Sequence, residues 1–478
     1  MKPSDGEKSP ARQRVVRSVS SLIRDGDEGV QKPVPVALRL VLGLLLMVII
    51  GTLSLLLLPG VTTGPRLTLT EALFTATSAL TVTGLTVVTT STEFTRFGHL
   101  LILILVQIGG VGYLFALALA LRLVGRRIGL MDRLALSGSL GLDKPKDIIQ
   151  LSQRVLAGIL IIEGLGALFL YLHWHSSGIV PEEDAFFYAV FHAVMAFCNA
   201  GFDLFAGLAR YPRGVPGDHL TLLIMGLLIL LGGLGIPVLA DLALLWRRDR
   251  SRRLSLHTRL TLWAVVALVL LGWLGLFIPE TRAGGVLHGD PLDQQLMHTW
   301  FQSISTRTAG FPGFEEFDNL VPESQLLVIA LMFIGSAPAS MGGGITTGTF
   351  VVLILALWSY ARGHPHVQAA GRTIAAGTVR RAAVILTIGI GSVVIASWLI
   401  LMTHNLSMST VLFEVVSAFA TVGLSLGITG ELNIFGRLVI IIMMFWGRLG
   451  AVTLVAALAQ QMTGPERSVQ YPEEPVLI

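Results

Sequence analysis

Long apolar runs alternate along this chain with shorter, weaker ones, and the alternation occurs four times. Runs of about 20 residues, the length that crosses a hydrocarbon core, lie at Val36–Leu58, Phe97–Leu121, Val155–His175, Leu220–Trp246, Leu256–Pro279, Ser324–Tyr360, Val379–Met402 and Ile434–Gln460. Inside each successive pair sits a moderately apolar segment of about a dozen residues, too short to span, which together with the turn after it occupies Leu69–Leu85, Asp184–Phe202, Pro291–Phe311 and Ser409–Leu424. Each short segment runs into a turn closed by glycine, at Gly84, Gly201, Gly310 and Gly423, and these glycines recur at intervals of 109 to 117 residues. A fixed period of that kind marks internal repetition. Every quarter thus predicts helix, re-entrant half-helix, turn, helix. The expected fold is an all-α membrane protein with eight transmembrane helices and four re-entrant pore helices. Its units are 36–121, 155–246, 256–360 and 379–460, between polar tails at 1–35 and 461–478.

Composition agrees: 53% of the 478 residues are hydrophobic and 13% charged, against about 25% charged in soluble domains. Charge then predicts orientation. Arg122, Arg126, Arg127, Arg133, Lys144, Lys146 and Arg154 follow the first quarter, and Arg247, Arg248, Arg250, Arg252 and Arg253 follow the second. The positive-inside rule places these loops and both termini in the cytoplasm, so the glycine turns open outward. The outward loops are acidic, with Glu71, Asp203, Asp218, Glu280, Glu315, Asp318 and Glu414 among their carboxylates. A negative mouth concentrates cations. Asp203, two residues past Gly201, is expected at its rim. The N-terminal tail reads as polar and without a secretory signal, although Arg12, Arg14, Arg17 and Arg24 could form a short basic surface helix. A single cysteine, Cys198, excludes an internal disulfide.

A half-helix entering from outside points its partially negative C-terminus at the bilayer centre, which favours a cation. Carbonyls of the turn beyond it can replace an ion's water shell, and glycine reaches backbone conformations that other residues avoid. Non-helical backbone at such depth must line a cavity or be buried in protein. The same holds for Gly335–Gly348 (GSAPASMGGGITTG), where a proline and three consecutive glycines should break the sixth apolar run. Arg448 interrupts the last apolar run. An arginine at a helix centre costs roughly 2.5–3.5 kcal/mol on insertion scales, so it should face the pore or a partner. Glu163 and Asp241 are the other charges in or near spans and receive no role. Trp174, Trp246, Trp273 and Trp358 fall near span ends, as an aromatic belt would. No nucleophile–base arrangement, dinucleotide fingerprint or phosphate loop is present, and neither an enzyme nor a nucleic-acid partner is expected.

The motifs TSALTVTGL, AFCNAGFDLF, SISTRTAGF and SAFATVGLSLG resemble those of the Trk/Ktr/HKT superfamily of potassium transporters, over nearly the whole chain from Val36 on. The resemblance implies a potassium-channel-like subunit with one central pore. Its selectivity filter would be Thr81-Val82-Thr83-Gly84, Cys198-Asn199-Ala200-Gly201, Arg307-Thr308-Ala309-Gly310 and Ala420-Thr421-Val422-Gly423. K+ would meet the filter at Val82, Thr83, Asn199, Ala200, Thr308, Ala309, Thr421 and Val422. Glycine at the first position points to potassium, since family members with serine there tend towards sodium. The family's intramembrane gate would fall at Ala339, Ser340, Met341, Gly342, Gly343 and Gly344. Arg448 would repel cations below the filter and hold that loop through its carbonyls. The tail Tyr471-Pro472-Glu473-Glu474 and the absence of an extra hydrophobic hairpin are most similar to the Ktr-type membrane subunit. That implies a homodimer with one pore per protomer, on a cytosolic ring of nucleotide-binding regulatory subunits. K+ is then the transported cargo, with no cofactor in this chain and Na+ left open as an activator. A sodium-selective or nonselective pore of this fold, and a secondary solute transporter, are the competing expectations.

Overall fold

Short polar side chains start seven of the described helices. Thr68, Thr95, Asp218, Ser255, Thr346, Ser407 and Asn433 each accept a hydrogen bond from a first-turn backbone N–H, satisfying donors that have no partner within the helix. The structure is a computed structural model that describes residues 36–112, 148–208, 211, 214–245 and 254–450. Its first quarter holds α1 (Val36–Leu57), α2 (Leu69–Thr81), a one-turn α3 (Thr90–Glu93) and α4 (Arg96–Val111). The second holds α5 (Ile148–Ser177), α6 (Glu182–Cys198), α7 (His219–Gly233) and α8 (Ile236–Leu245). The third holds α9 (Leu256–Thr281), α10 (Leu292–Ser305), α11 (Pro322–Phe333) and α12 (Thr347–Ala361). A two-residue hairpin pairing Gln368–Ala369 with Arg372–Thr373 leads to α13 (Ala376–Leu401), α14 (Met408–Phe419) and α15 (Ile434–Leu449).

The four short helices α2, α6, α10 and α14 form the centre. In α2 every residue from Phe74 to Thr81 is buried, and in α14 every residue from Phe413 to Phe419. Each packs on the long helix before it: α2 on α1, α6 on α5, α10 on α9, α14 on α13. Each also receives the inner helix of the preceding quarter: α4 lies on α6, α7 on α10, α11 on α14, and α15 returns to α2. The contacts therefore close into a cycle in chain order. Close approach is built into three inner helices by glycine. A Cβ on Gly109, Gly232 or Gly447 would collide with the carbonyl of Leu80, Phe197 or Phe419 near the end of a short helix. The long helices instead turn large apolar side chains outward, for example Leu42, Leu46 and Ile49 of α1 and Val394, Ile395 and Trp398 of α13.

Among the described residues four helices are long and apolar enough to cross a membrane: Leu38–Leu57, Gln153–Ser177, Leu256–Thr281 and Ala376–Leu401. These are the first spans of the four expected units. The second spans are shorter or broken, so length and composition alone do not reproduce the expected eight. Leu220–Trp246, expected as one helix, is bent by 99° between α7 and α8, where Gly235 takes φ +83°. The sixth run breaks as its glycines predict, with helix absent between Phe333 and Thr347. The ends of the first and fourth units (113–121 and 451–460), the basic loops at 122–147 and 246–253, and both tails lie outside the described residues.

Two sequence expectations need correction. Trp174 belongs to no aromatic belt: it is fully buried, donates to Thr221 Oγ1 (2.8 Å) and stacks edge-on against His192 and Phe205. Glu280 and Glu414 are not solvated mouth carboxylates, because both are completely buried. The Glu280 carboxylate accepts the Val286 and Val321 N–H groups at 3.0 and 3.2 Å, tying the loops of the third quarter together.

Candidate functional site

Three of the four turns leave their helices by the same device. Val82, Asn199 and Thr421 sit in the left-handed region at φ 58°, 57° and 51°. The N–H of the next residue reaches back to a helix carbonyl: Thr83 to Ser78 (2.8 Å), Ala200 to Met195 (2.9 Å), Val422 to Ser417 (2.9 Å). This is the Schellman closure usually made by glycine. A β-branched residue in that conformation costs about 1–3 kcal/mol and persists only where its surroundings enforce it. The third turn differs. Thr306 stays helical, and Ala309 and Gly310 both donate to Ser305 O, at 2.9 and 3.3 Å.

The turns then meet. Gly84, Gly201, Gly310 and Gly423 all have positive φ, between 65° and 96°, and each Cα lies against the carbonyl of the residue preceding the next glycine. A Cβ on Gly84 would strike Ala200 O, one on Gly310 would strike Val422 O, and one on Gly423 would strike Thr83 O. On Gly201 it would come 3.0 Å from Ala309 O. Four glycines and four carbonyls form a closed ring. Glycine is thus required twice over, for its backbone conformation and for the closeness of its neighbour. The ring floors an open cavity of about 410 Å³ whose walls include Asp203, Glu315 and Asp318.

Side chains behind the turns hold this mouth in shape. His192 Nε2 and Asp203 Oδ1 are 3.0 Å apart, and the same oxygen accepts Phe205 N–H at 2.7 Å. In the fourth quarter Glu414 accepts from Ser425 Oγ (2.7 Å) and from Thr429 Oγ1. Both pairs join the position nine before a ring glycine to the position two after it, a shared offset that comparing the repeats could have exposed. Replacing Glu414 by valine removes the carboxylate acceptor of buried Thr429 and half-buried Ser425, leaving only the 3.0 Å bond between the two hydroxyls, at a cost of about 1–3 kcal/mol. A lower melting temperature in detergent is expected. Glutamine, which can still pair with both hydroxyls, is expected to fall in between.

The broken segment between α11 and α12 lies against these turns. Its ends meet, Gly335 N–H donating to Ile345 O (2.8 Å) and Thr347 N–H to Ser336 O (3.0 Å). Ala337 and Met341 donate to Gly233 and Gly232, Ile236 donates to Ala339 O, and Gly344 donates to Gly447 O. Gly343 N–H reaches Thr421 Oγ1 (2.9 Å), Gly342 abuts Thr308 and Gly344 abuts Ala420. Ala339 adds a further left-handed residue at φ 55°, and Ser340 pairs with Ser336. Arg448 donates to Met341 O on this loop, as anticipated, and also to Gly109 O and Gly110 O (3.2 Å) at the end of α4. The α4 contacts were not visible in sequence. Arg307 lies in the third turn, as the sequence places it. Its side chain leaves the turn and is bonded to the base of the loop. Glu163 packs with Gln107 (3.1 Å) and Cys198 (3.7 Å) behind the second turn. Asp241 accepts from Thr258 Oγ1 (2.5 Å) at the start of α9.

A ring of backbone carbonyls under an acidic mouth is chemistry for a desolvated cation. The family model described as TrkH, cation transport protein, matches residues 45–468, and the chain belongs to that family. It is similar to the Ktr system potassium uptake protein B of Vibrio alginolyticus, with 35% identity over 92% of this chain and 94% of that protein. The Bacillus subtilis protein of the same name is 34% identical, over 91% of this chain and 94% of the relative. The potassium/sodium uptake protein NtpJ of Enterococcus hirae is 32% identical, over 85% and 89%. The crystal structure of the potassium transporter TrkH from Vibrio parahaemolyticus has a similar fold, with TM-score 0.71, 20% identity, and coverage of 90% of this chain and 86% of that one. The family is one of cation transporters rather than enzymes.

Proposed function

We propose that this chain is the potassium-translocating membrane subunit of a K+ uptake system. It conducts like a channel through the four-glycine ring. Four helix–pore-helix–helix units surround one pore, their second spans completed by α4, by α7 with α8, by α11 with α12, and by α15. The carbonyls of Thr83, Ala200, Ala309 and Val422, with those of Val82, Asn199, Thr308 and Thr421 one step deeper, replace the ion's water. The loop Ala339–Gly344 is the gate beneath them. Arg448 holds that gate and adds a positive barrier. The observation that carries this reading is the closed ring, in which every glycine meets the carbonyl beside the next. A secondary transporter with inverted repeats would not give cyclic packing in chain order.

The site is read as facing outward from a cell membrane, with both termini cytoplasmic. Relatives named as protein B of a Ktr system support association with a further subunit; a homodimer on a cytosolic nucleotide-binding ring is part of the proposed reading. Expression in cells lacking potassium uptake is expected to restore growth at low K+. Rubidium uptake in those cells should be competed by K+ far better than by Na+. Equal competition would favour the sodium-selective or nonselective pore, and no cation uptake by inserted protein would remove the reading.

A further inference from the structure

We propose that Arg307 is a positioning residue coupling the third filter turn to the intramembrane loop, so that the conformation of one biases the other. The inference rests on the loop being a gate. Arg307 is 6% exposed. Its backbone N–H donates to Ile304 O at 3.2 Å, immediately before Thr308-Ala309-Gly310. Its guanidinium Nη2 donates to Thr347 Oγ1 at 2.8 Å and to Gly335 O at 3.3 Å. Thr347 Oγ1 in turn donates to Gly335 O at 2.7 Å. Gly335 and Thr347 are the two ends of the loop. One residue of the turn therefore clamps the loop at its base, while Arg448 holds it at Met341 near its tip.

Closing the loop does not itself require this charge. Backbone bonds between Gly335 and Ile345 and between Ser336 and Thr347 already join the ends. A buried arginine is costly, and an apolar side chain of similar volume often serves stability as well. Here the partners in the described structure are a hydroxyl and a carbonyl, and Nε has none. What the guanidinium adds is a link between turn and loop. The turn it springs from is also the one of the four that lacks the left-handed closure, so it is held by different bonds from its three counterparts.

The test uses the full chain in proteoliposomes, with K+ and Na+ uptake measured in the intact protein and after deletion of Ala339–Gly343. Thr347→Val removes the hydroxyl and keeps the shape, and Thr347→Ser retains the hydroxyl. In the intact protein Thr347→Val is expected to raise K+ flux roughly threefold or more, as loss of a bond to a charged group warrants. It is also expected to shift the K+/Na+ ratio at least about twofold, although Thr347 lies outside the filter. Thr347→Ser should behave as the parent. Arg307→Met should reproduce the valine effect, and Thr347→Val should then add nothing. After the loop deletion neither substitution should change flux further. Parental flux and ratio for Thr347→Val, or equal effects with and without the loop, would overturn the coupling alone. A deletion that leaves flux unchanged would overturn the gate reading and this inference with it.

Discussion

Gly84→Ser is expected to insert and fold but to lose its preference for potassium over sodium by about tenfold or more, the equivalent of 1.4 kcal/mol. Two costs act at once. Gly84 has φ +87°, where a residue with Cβ is disfavoured by roughly 1–2 kcal/mol. Its Cβ would also fall under 3.0 Å from Ala200 O and from the Cα of Gly201, so the first two turns must separate and the carbonyl ring must open. Gly60 provides the control, since it has φ +75° and a Cβ added there would meet nothing within 4 Å. Gly60→Ser should keep the parental K+/Na+ ratio. The ring also ranks its own members. Gly310 and Gly423 meet a carbonyl as closely as Gly84 does, whereas Gly201 has more room. Alanine at Gly310 or Gly423 should therefore harm selectivity more than alanine at Gly201. Uptake of K+ and Na+ by purified, reconstituted variants measures the ranking, and equal ratios throughout would contradict it.

Deleting Ala339–Gly343 is expected to raise K+ flux by about an order of magnitude, because it removes the backbone lying against Thr308 and Thr421 together with the Met341 carbonyl that Arg448 holds. Arg448→Ala in the intact chain should also raise flux, by releasing that carbonyl and withdrawing a positive charge from the path. Combined, the two changes should be less than additive, since they act on one element. Some effect of Arg448→Ala should survive the deletion, because its bonds to Gly109 and Gly110 in α4 do not involve the loop. Full additivity would indicate separate barriers. Loss of uptake by a normally inserted Arg448→Ala protein would show that the arginine supports the ring rather than the gate.

Periodicity made much of this visible in advance. The four glycines, the short segments before them and the broken sixth run all leave their mark in residue type, because a close-packed turn at positive φ and a helix break each demand small residues. An arginine inside an apolar run likewise signals a partner, and Met341 O was a natural one. Other features depend on what comes back from elsewhere in the chain. The bend between α7 and α8 falls at Gly232-Gly233-Leu234-Gly235-Ile236-Pro237, a cluster of glycine and proline within a run whose one charge is Asp241, and hydropathy alone reads straight across it. Its position follows from Gly232, Gly233 and Ile236 binding the loop. Glu414 looked like a solvated carboxylate until Ser425 and Thr429 were folded onto it. Trp174 looked like an interfacial anchor until Thr221 received its indole N–H. The direction of Arg307 was equally hidden, because its partners Gly335 and Thr347 are separated from it in sequence and supply no charge.

The most direct test of the central claim is the position of a bound ion. A crystal of the purified protein grown in rubidium should show anomalous density on the axis of the ring, bounded by the carbonyls of Thr83, Ala200, Ala309 and Val422. That density should fade when rubidium is exchanged for sodium. Rubidium density between helices away from the four glycines, with none on the axis, would contradict the account.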